Sequence, residues 1–151
     1  MWIRSRRKRC RHECGNRPRA RPDGTEPGTA ALYDLAMLSA MYVMFTGFLH
    51  GAALTGSAGI SAKDFADRAI PFLTAMTGGM AAMAETVDRA DYATDVQPLE
   101  WTELDTLIRA CREAGISSAP IVLVDELVRA QIDQGHGAEA FARIHQGLIQ
   151  D

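Results

Sequence analysis

The chain has 151 residues, of which 47% are hydrophobic and 23% charged, and its formal net charge is −3. This length suits one ordinary domain or half of a two-domain protein, and the composition is that of a globular protein. The three cysteines, Cys10, Cys14 and Cys111, are an odd number, which argues against a disulfide framework and favours a reducing, cytoplasmic location.

Residues 1–28 form a basic arm with nine Arg or Lys residues and three acids, whereas residues 29–151 hold seven basic and sixteen acidic residues. The arm has almost no apolar residues after Ile3, so we expect it to be disordered. Clustered arginine attracts phosphate, but the aromatic residues that single-strand binders interleave are missing after Trp2. A secretory signal is not predicted because no apolar run and cleavage site follow the arginines within the arm.

A metal site is not predicted in the arm. Cys10, His12 and Cys14 lie close together in the sequence. A structural zinc site needs about four ligands, and no second Cys/His pair stands at the required spacing. We therefore interpret the arm as a solvated tail, with a nucleic-acid contact as the alternative.

A long apolar run follows the arm, and residues 35–62 carry no formal charge apart from a possible proton on His50. This exceeds the ~20 residues that cross a bilayer. Glycine, serine and threonine dilute the run, and "TGSAG" at 55–59 is a turn signal. We therefore predict a helix over 30–54 that is buried in a core or between subunits, with a membrane span as the alternative.

Two helices are predicted between residues 61 and 90. Ser61 is a candidate N-cap with Asp64 three residues later, and Pro71 should kink or break the helix that follows. Gly78-Gly79 separates this helix from the next. The apolar positions expected to face inward are Phe65, Ala69, Phe72, Leu73, Met80, Met83 and Val87.

After a loop at "TDVQPLEW", three more helices are predicted. Gly115 should end the first of them, and the second should begin with Ser118 as cap and Pro120 in its first turn. Cys111 is interpreted as a core thiol rather than a nucleophile, and His145 as a surface residue. The expected inward positions are Trp101, Leu104, Leu107, Ile108, Cys111, Ile121, Val124, Leu127, Val128, Phe141, Ile144 and Leu148.

The whole pattern predicts an all-α fold: a long helix followed by a helical bundle over residues 29–151. No segment alternates convincingly enough for a sheet. No glycine-rich phosphate loop is present, since "GNRPRA" at 15–20 does not satisfy GxGxxG. If the protein uses a dinucleotide, the main cofactor-binding domain is expected to be absent from this chain.

Four segments resemble, in order, the C-terminal half of the NADPH-dependent imine reductases and reductive aminases, within the 6-phosphogluconate and β-hydroxyacid dehydrogenase superfamily. They are "EPGTAALYDLAMLSAMYVMFTGFLHGAAL" (26–54), "AIPFLTAM", "DRADYATD" and "QIDQGHGAEAFARI". The resemblance implies a Rossmann domain before the long helix. It also implies an intertwined homodimer in which each active site lies between one subunit's nucleotide domain and its partner's helical domain.

The resemblance also implies site residues. Tyr42 matches the position of a proton donor or its helper, and Asp34 matches an acid near the amine. On a straight helix, eight residues separate them by ~12 Å along the axis and ~80° around it, so they could flank a small ligand. We expect Met41, Phe72, Met76 and Trp101 to line the substrate pocket. Without the resemblance, Asp34 is explained by the helix dipole and the other five by core packing.

The resemblance predicts the substrate-binding and dimerisation half of an imine-reducing enzyme, inactive alone, that takes an imine, or an amine plus a ketone, and depends on NADPH. The first alternative is a non-enzymatic helical dimerisation module with a nucleic-acid-binding arm. The second is a membrane-anchored protein. We expect neither a membrane nor a nucleic-acid partner.

Overall fold

The structure, a computed structural model, describes residues 27–149. Within these residues every regular element is helical, and two isolated β-bridges, Ala93–Glu139 and Pro98–Ala140, are the other pairings found. The predicted all-α class is therefore confirmed. The predictions for the basic arm fall outside the described residues except at Pro27 and Gly28, which belong to the first helix rather than to the arm.

Six α-helices follow one another between residues 27 and 149. They are α1 (Pro27–Gly56), α2 (Ala62–Thr77), α3 (Met80–Arg89), α4 (Asp105–Glu113), α5 (Ala119–Gln131) and α6 (Ile144–Gly147). Three short turns lie between them: the 3-10 turns Leu99–Trp101 and Phe141–Arg143, and the π-turn Ile132–His136.

The structure divides into two units after Leu38, within α1. In residues 27–38, α1 begins at Pro27. Proline is favourable at the start of a helix, because the first N–H groups of a helix have no carbonyl partner within it. Four of the large apolar side chains of this stretch, Leu32, Tyr33, Leu35 and Met37, are more than 60% exposed, and Leu38 is 38% exposed. Burial within the described chain therefore does not explain why this segment is helical.

In residues 39–149, α1 packs against α2 at one close crossing. The rings of Phe48 and Phe65 stack with centroids 5.6 Å apart and planes 28° apart. Gly51 lies beneath the same ring, and a Cβ at this position would come within 2.6 Å of the Phe65 Cζ. The lack of a side chain at Gly51 therefore permits the approach of the two helices.

The local signals at the ends of α2 and α3 are confirmed. The Ser61 hydroxyl accepts a hydrogen bond from the Asp64 N–H at 3.1 Å and donates one to the Asp64 carboxylate at 2.7 Å. The pair Gly78-Gly79 separates α2 from α3. The prediction that Pro71 would kink or break the helix is wrong as to a break, because α2 continues through Pro71 to Thr77. The carbonyl that loses its partner to this proline belongs to Asp67, which is exposed and can be hydrated.

The helix ends near residues 115–118 follow the prediction in part. Gly115 ends α4 with a φ of +71°, the left-handed conformation that favours glycine. Ser118 occupies the N-cap position of α5 and Pro120 lies in its first turn, as predicted, but the Ser118 side chain makes no cap hydrogen bond. The hydroxyl of Ser117 instead accepts the Ala119 N–H at 3.3 Å.

The core of the second unit lies among α4, α5 and the segment before α4. Cys111, Ile108 and Val128 are buried as predicted. Leu99, placed in a loop by the sequence, is fully buried. At the rim, Arg129 bridges α5 to α4 by donating to Asp125 at 2.7 Å and to Asp105 at 2.9 Å. These hydrogen bonds raise the pKa of Arg129 above its ordinary value, and the bond to Asp125 has the larger effect. Because the ion pair is exposed to solvent, it adds little to the stability of the fold.

Several positions predicted to face inward are instead exposed in the single chain. Trp101 precedes α4 rather than lying on it, and it is 65% exposed. His145 shows the opposite difference, because it was predicted to lie at the surface and is half-buried. Its Nδ1 has no hydrogen-bond partner within residues 27–149. The remaining exposed positions are Phe72, Leu73, Met80, Met83, Phe141 and Leu148. The helical period identified apolar faces correctly, but it could not tell whether the same chain covers them.

Candidate functional site

Two apolar grooves run along the contact between α1 and α2. The first, about 440 Å³, has Met76 on its wall, and the second, about 630 Å³, has Phe72. The residues shared by both are Met44, Phe48 and Leu73. A groove with apolar walls of this size can hold a small organic molecule or the side chains of another chain.

Of the predicted site residues, the two grooves include Phe72 and Met76. Phe72 and Met76 lie on different grooves, and Met41 is half-buried and lies on neither. Trp101 belongs to the 3-10 turn Leu99–Trp101 and lines neither groove. Neither groove therefore contains all four predicted apolar residues.

Tyr42 lies on α1 in the second unit and is 65% exposed. Its backbone carbonyl accepts the Thr46 hydroxyl at 2.8 Å, whereas its own hydroxyl has no hydrogen-bond partner among residues 27–149. A phenol with a free hydroxyl at the edge of apolar surface can donate a proton or a hydrogen bond to a ligand.

Asp34 lies in the first unit, also on α1, and is exposed. It is the one acidic residue of this 30-residue helix. It lies two turns into the helix, beyond the first turn where the helix dipole favours an acid. The helix dipole therefore explains little of why an acid occupies this position.

The sequence missed a contact between His50 on α1 and the α4–α5 connection. The His50 Nε2 lies 2.9 Å from the Ser117 carbonyl oxygen and 3.6 Å from the Cys111 Sγ. A carbonyl can only accept, so Nε2 carries the proton and cannot take one from the thiol. This Cys–His pair is therefore not a nucleophile with its base, which agrees with the interpretation of Cys111 as a core thiol. The 67-residue separation of His50 and Ser117 explains why no local pattern revealed the contact.

Within residues 27–149, no group of three or more His, Cys, Asp or Glu side chains could hold a metal ion.

The first helix also meets the criteria for a membrane-spanning helix. Residues Gly28–Gly56 are long and apolar enough to cross a bilayer: an 18-residue window within them has a mean hydropathy of 1.5, and none of that window is buried within the described residues. A helix covered by another subunit satisfies the same criteria, so length and hydropathy do not distinguish the two.

Comparison with known proteins identifies a family. Residues 26–150 match the family described as NADPH-dependent reductive aminase-like, C-terminal domain. The chain is 38% identical over 121 residues to an NADPH-dependent reductive aminase from Aspergillus oryzae, covering 77% of this chain and 41% of that protein.

Solved structures give the same result. A reductive aminase from Aspergillus terreus, in complex with NADPH4, cyclohexanone and allyl amine, superposes with a TM-score of 0.76 at 34% identity, over 81% of this chain and 44% of that one. An imine reductase from Aspergillus terreus, in complex with NADPH4 and dibenz[c,e]azepine, gives 0.73 at 36% identity, over 78% and 42%. The chain thus spans less than half the length of each of these relatives.

Proposed function

Because the chain belongs to the NADPH-dependent reductive aminase-like C-terminal domain family, we propose that it is the substrate-binding and dimerisation half of an NADPH-dependent oxidoreductase that reduces imines. The observation that carries this proposal is α1 itself. It lies within the family match, it holds Asp34 and Tyr42, and most of its large apolar side chains stay exposed in the described chain.

The described residues do not fit the cofactor's main binding site. Residues 27–149 contain no strand leading into a glycine-rich turn that could cradle a pyrophosphate. We propose that NADPH, when bound, supplies the hydride and is held chiefly by a nucleotide-binding domain of the kind that the family resemblance implies. The residues of this chain act on the other reactant.

Asp34 is proposed to face the substrate nitrogen. A carboxylate beside an iminium ion stabilises its positive charge and favours the protonated form of the amine. The absence of any other acid on α1 supports this role, because no neighbouring carboxylate on the helix competes for the cation.

Tyr42 is proposed to donate a hydrogen bond or a proton to the reacting group. Its hydroxyl has no partner within the described chain, and its ring adds apolar wall. We propose that Met41, Phe72, Met76 and Trp101 line the same cleft once a second subunit covers it. Such walls suit a substrate with a hydrocarbon body, whether an imine or a ketone that condenses with an amine.

The second subunit is the proposed cover of the apolar surface on α1 and α2. Phe45 is 48% exposed, Leu49 63% and Ile70 61%, and monomeric proteins rarely leave contiguous apolar surface of this kind open to water. A second copy of the chain provides matching apolar surface and closes the assembly with twofold symmetry.

The decisive experiment joins the nucleotide-binding half of the Aspergillus oryzae relative to residues 26–151 of this chain and measures NADPH consumption with cyclohexanone and allyl amine. We expect Asp34→Asn to lower kcat about 10²- to 10³-fold, the usual loss when one group that stabilises transition-state charge is removed. We expect Tyr42→Phe to lower kcat about 10²- to 10⁴-fold, the usual contribution of a positioned proton donor. Tyr33→Phe is the matched control, because Tyr33 is equally exposed at 65% on the same helix. Its rate should stay unchanged. Equal losses in all three variants, or a soluble and dimeric chimera that consumes no NADPH, would refute the proposal.

A further inference from the structure

Three side chains near the C-terminus form a closed polar cluster, which we name the clasp: His136, Glu139 and Arg143. The His136 Nδ1 lies 2.9 Å from Glu139 Oε1, and the His136 Nε2 lies 2.7 Å from Arg143 Nη2. Arg143 Nη1 stands 3.3 Å from Glu139 Oε2, close enough for an ion pair but not aligned for a hydrogen bond. The three side chains are 20–30% exposed, so water screens them only in part.

The contacts within the clasp determine which ring nitrogen of His136 carries the proton. The Arg143 guanidinium can only donate, so His136 Nε2 is the acceptor and Nδ1 carries the proton donated to Glu139. Arg143 also donates from Nε to the buried Gln131 at 3.1 Å, and its guanidinium lies 5.1 Å above the Tyr92 ring. Each member of the clasp is thus held by at least two neighbours.

The backbone around the clasp is paired with the segment that precedes α4. The Leu99 N–H donates to the Glu139 carbonyl at 2.8 Å, and the Glu100 N–H donates to the Gly137 carbonyl at 3.0 Å. The Ala140 N–H in turn donates to the Tyr92 carbonyl at 2.8 Å. Residues 137–140 therefore hydrogen-bond to both ends of segment 92–99, which leads into the 3-10 turn Leu99–Trp101.

We propose that His136, Glu139 and Arg143 are positioning residues that set the place of Trp101 at the substrate cleft, an inference that rests on the function proposed above. Trp101 follows Leu99 and Glu100 directly, and its own N–H donates to the Pro98 carbonyl at 3.1 Å. Leu99 is fully buried, whereas the Trp101 side chain is 65% exposed. The clasp thus anchors the buried half of this turn and leaves the indole free to meet a ligand or a partner subunit.

The test uses the full chain with Trp2→Phe, so that Trp101 is the single tryptophan. Amide hydrogen exchange and the indole N–H resonance of Trp101 are followed with and without Glu139→Gln, which keeps the shape of the clasp and removes its negative charge. We expect the Leu99 and Glu100 amides to lose protection about tenfold, because the hydrogen bond from His136 loses its charge assistance and the ion pair with Arg143 is removed, and the indole resonance to shift. The amides of Ile108 and Val128 should keep their protection.

Glu85→Gln is the matched control, since Glu85 pairs with Arg89 at 3.1 Å on the exposed surface of α3. It should leave Leu99, Glu100 and Trp101 unchanged. Unaltered protection and an unshifted indole in Glu139→Gln would overturn the inference, as would a loss of protection spread evenly over the helices. These readouts need no turnover, so an inactive chimera would refute the proposed function without deciding the role of the clasp.

Discussion

Replacing Gly51 by alanine tests the close crossing that places α1 on α2. The new Cβ would lie 2.6 Å from Phe65 Cζ and 3.1 Å from Cε1, and the Phe65 ring is stacked on Phe48. Such overpacking costs about 1–3 kcal/mol, while replacing a helix-interior glycine gains about 0.5–1 kcal/mol. We therefore expect a net loss of about 1 kcal/mol and a Tm lowered by about 3 °C, measured by thermal and urea denaturation at a fixed protein concentration.

Two variants make this prediction specific. Gly47→Ala is the control one turn earlier on α1, where an added Cβ would meet nothing within 4 Å of the described chain. Gly47→Ala should raise the free energy of unfolding, because alanine favours the helix more than glycine does and no overpacking opposes this gain. In a Phe65→Leu background the far end of the ring is gone, so Gly51→Ala should no longer cost stability, with a coupling energy of about 1–2 kcal/mol. If Gly51→Ala is as stable as Gly47→Ala, the crossing is not as close as described.

Three further predictions concern the second unit. Gly115→Ala should lower the free energy of unfolding by about 1–2 kcal/mol because φ at this residue is +71°, whereas Ala90→Gly, at a φ of 52°, should raise it by up to about 1 kcal/mol. Urea denaturation that changes the stability of both variants in the same direction would contradict this. His50→Leu should lower the free energy of unfolding by about 1–2 kcal/mol, because the Ser117 carbonyl loses its donor; wild-type stability would show that the bond is immaterial. In a Cys10→Ser/Cys14→Ser chain, Cys111 should react with a thiol reagent slowly in buffer and quickly in urea, since it is fully buried; rapid labelling in buffer would be inconsistent with this burial.

The sequence predicts those parts of the fold that depend on neighbouring residues. The cap at Ser61, the break at Gly78-Gly79 and the stop at Gly115 all follow from local backbone chemistry, and the structure confirms them. Pro71 shows the limit of such rules, because a single missing bond at an exposed carbonyl does not end a helix.

Contacts between distant residues could not be predicted in this way. The contact of His50 with Ser117, the burial of Leu99 and the clasp each join segments whose proximity depends on the whole fold. The sequence period marked Phe72 and Met80 as apolar positions but could not assign them to this chain's interior or to a partner's surface. Asp34 and Tyr42 were singled out by the family resemblance rather than by helix geometry, and their roles stay predictions.

The central claim is that a second copy of the chain covers the apolar surface on α1. Sedimentation equilibrium of the full chain in detergent-free buffer tests it most directly. We predict a species of twice 16.4 kDa. Phe45→Glu on α1 should dissociate this species, and Leu123→Glu, at an exposed leucine on α5, should not. A well-folded monomer at all concentrations, or a chain that stays in solution only with detergent, would contradict the account.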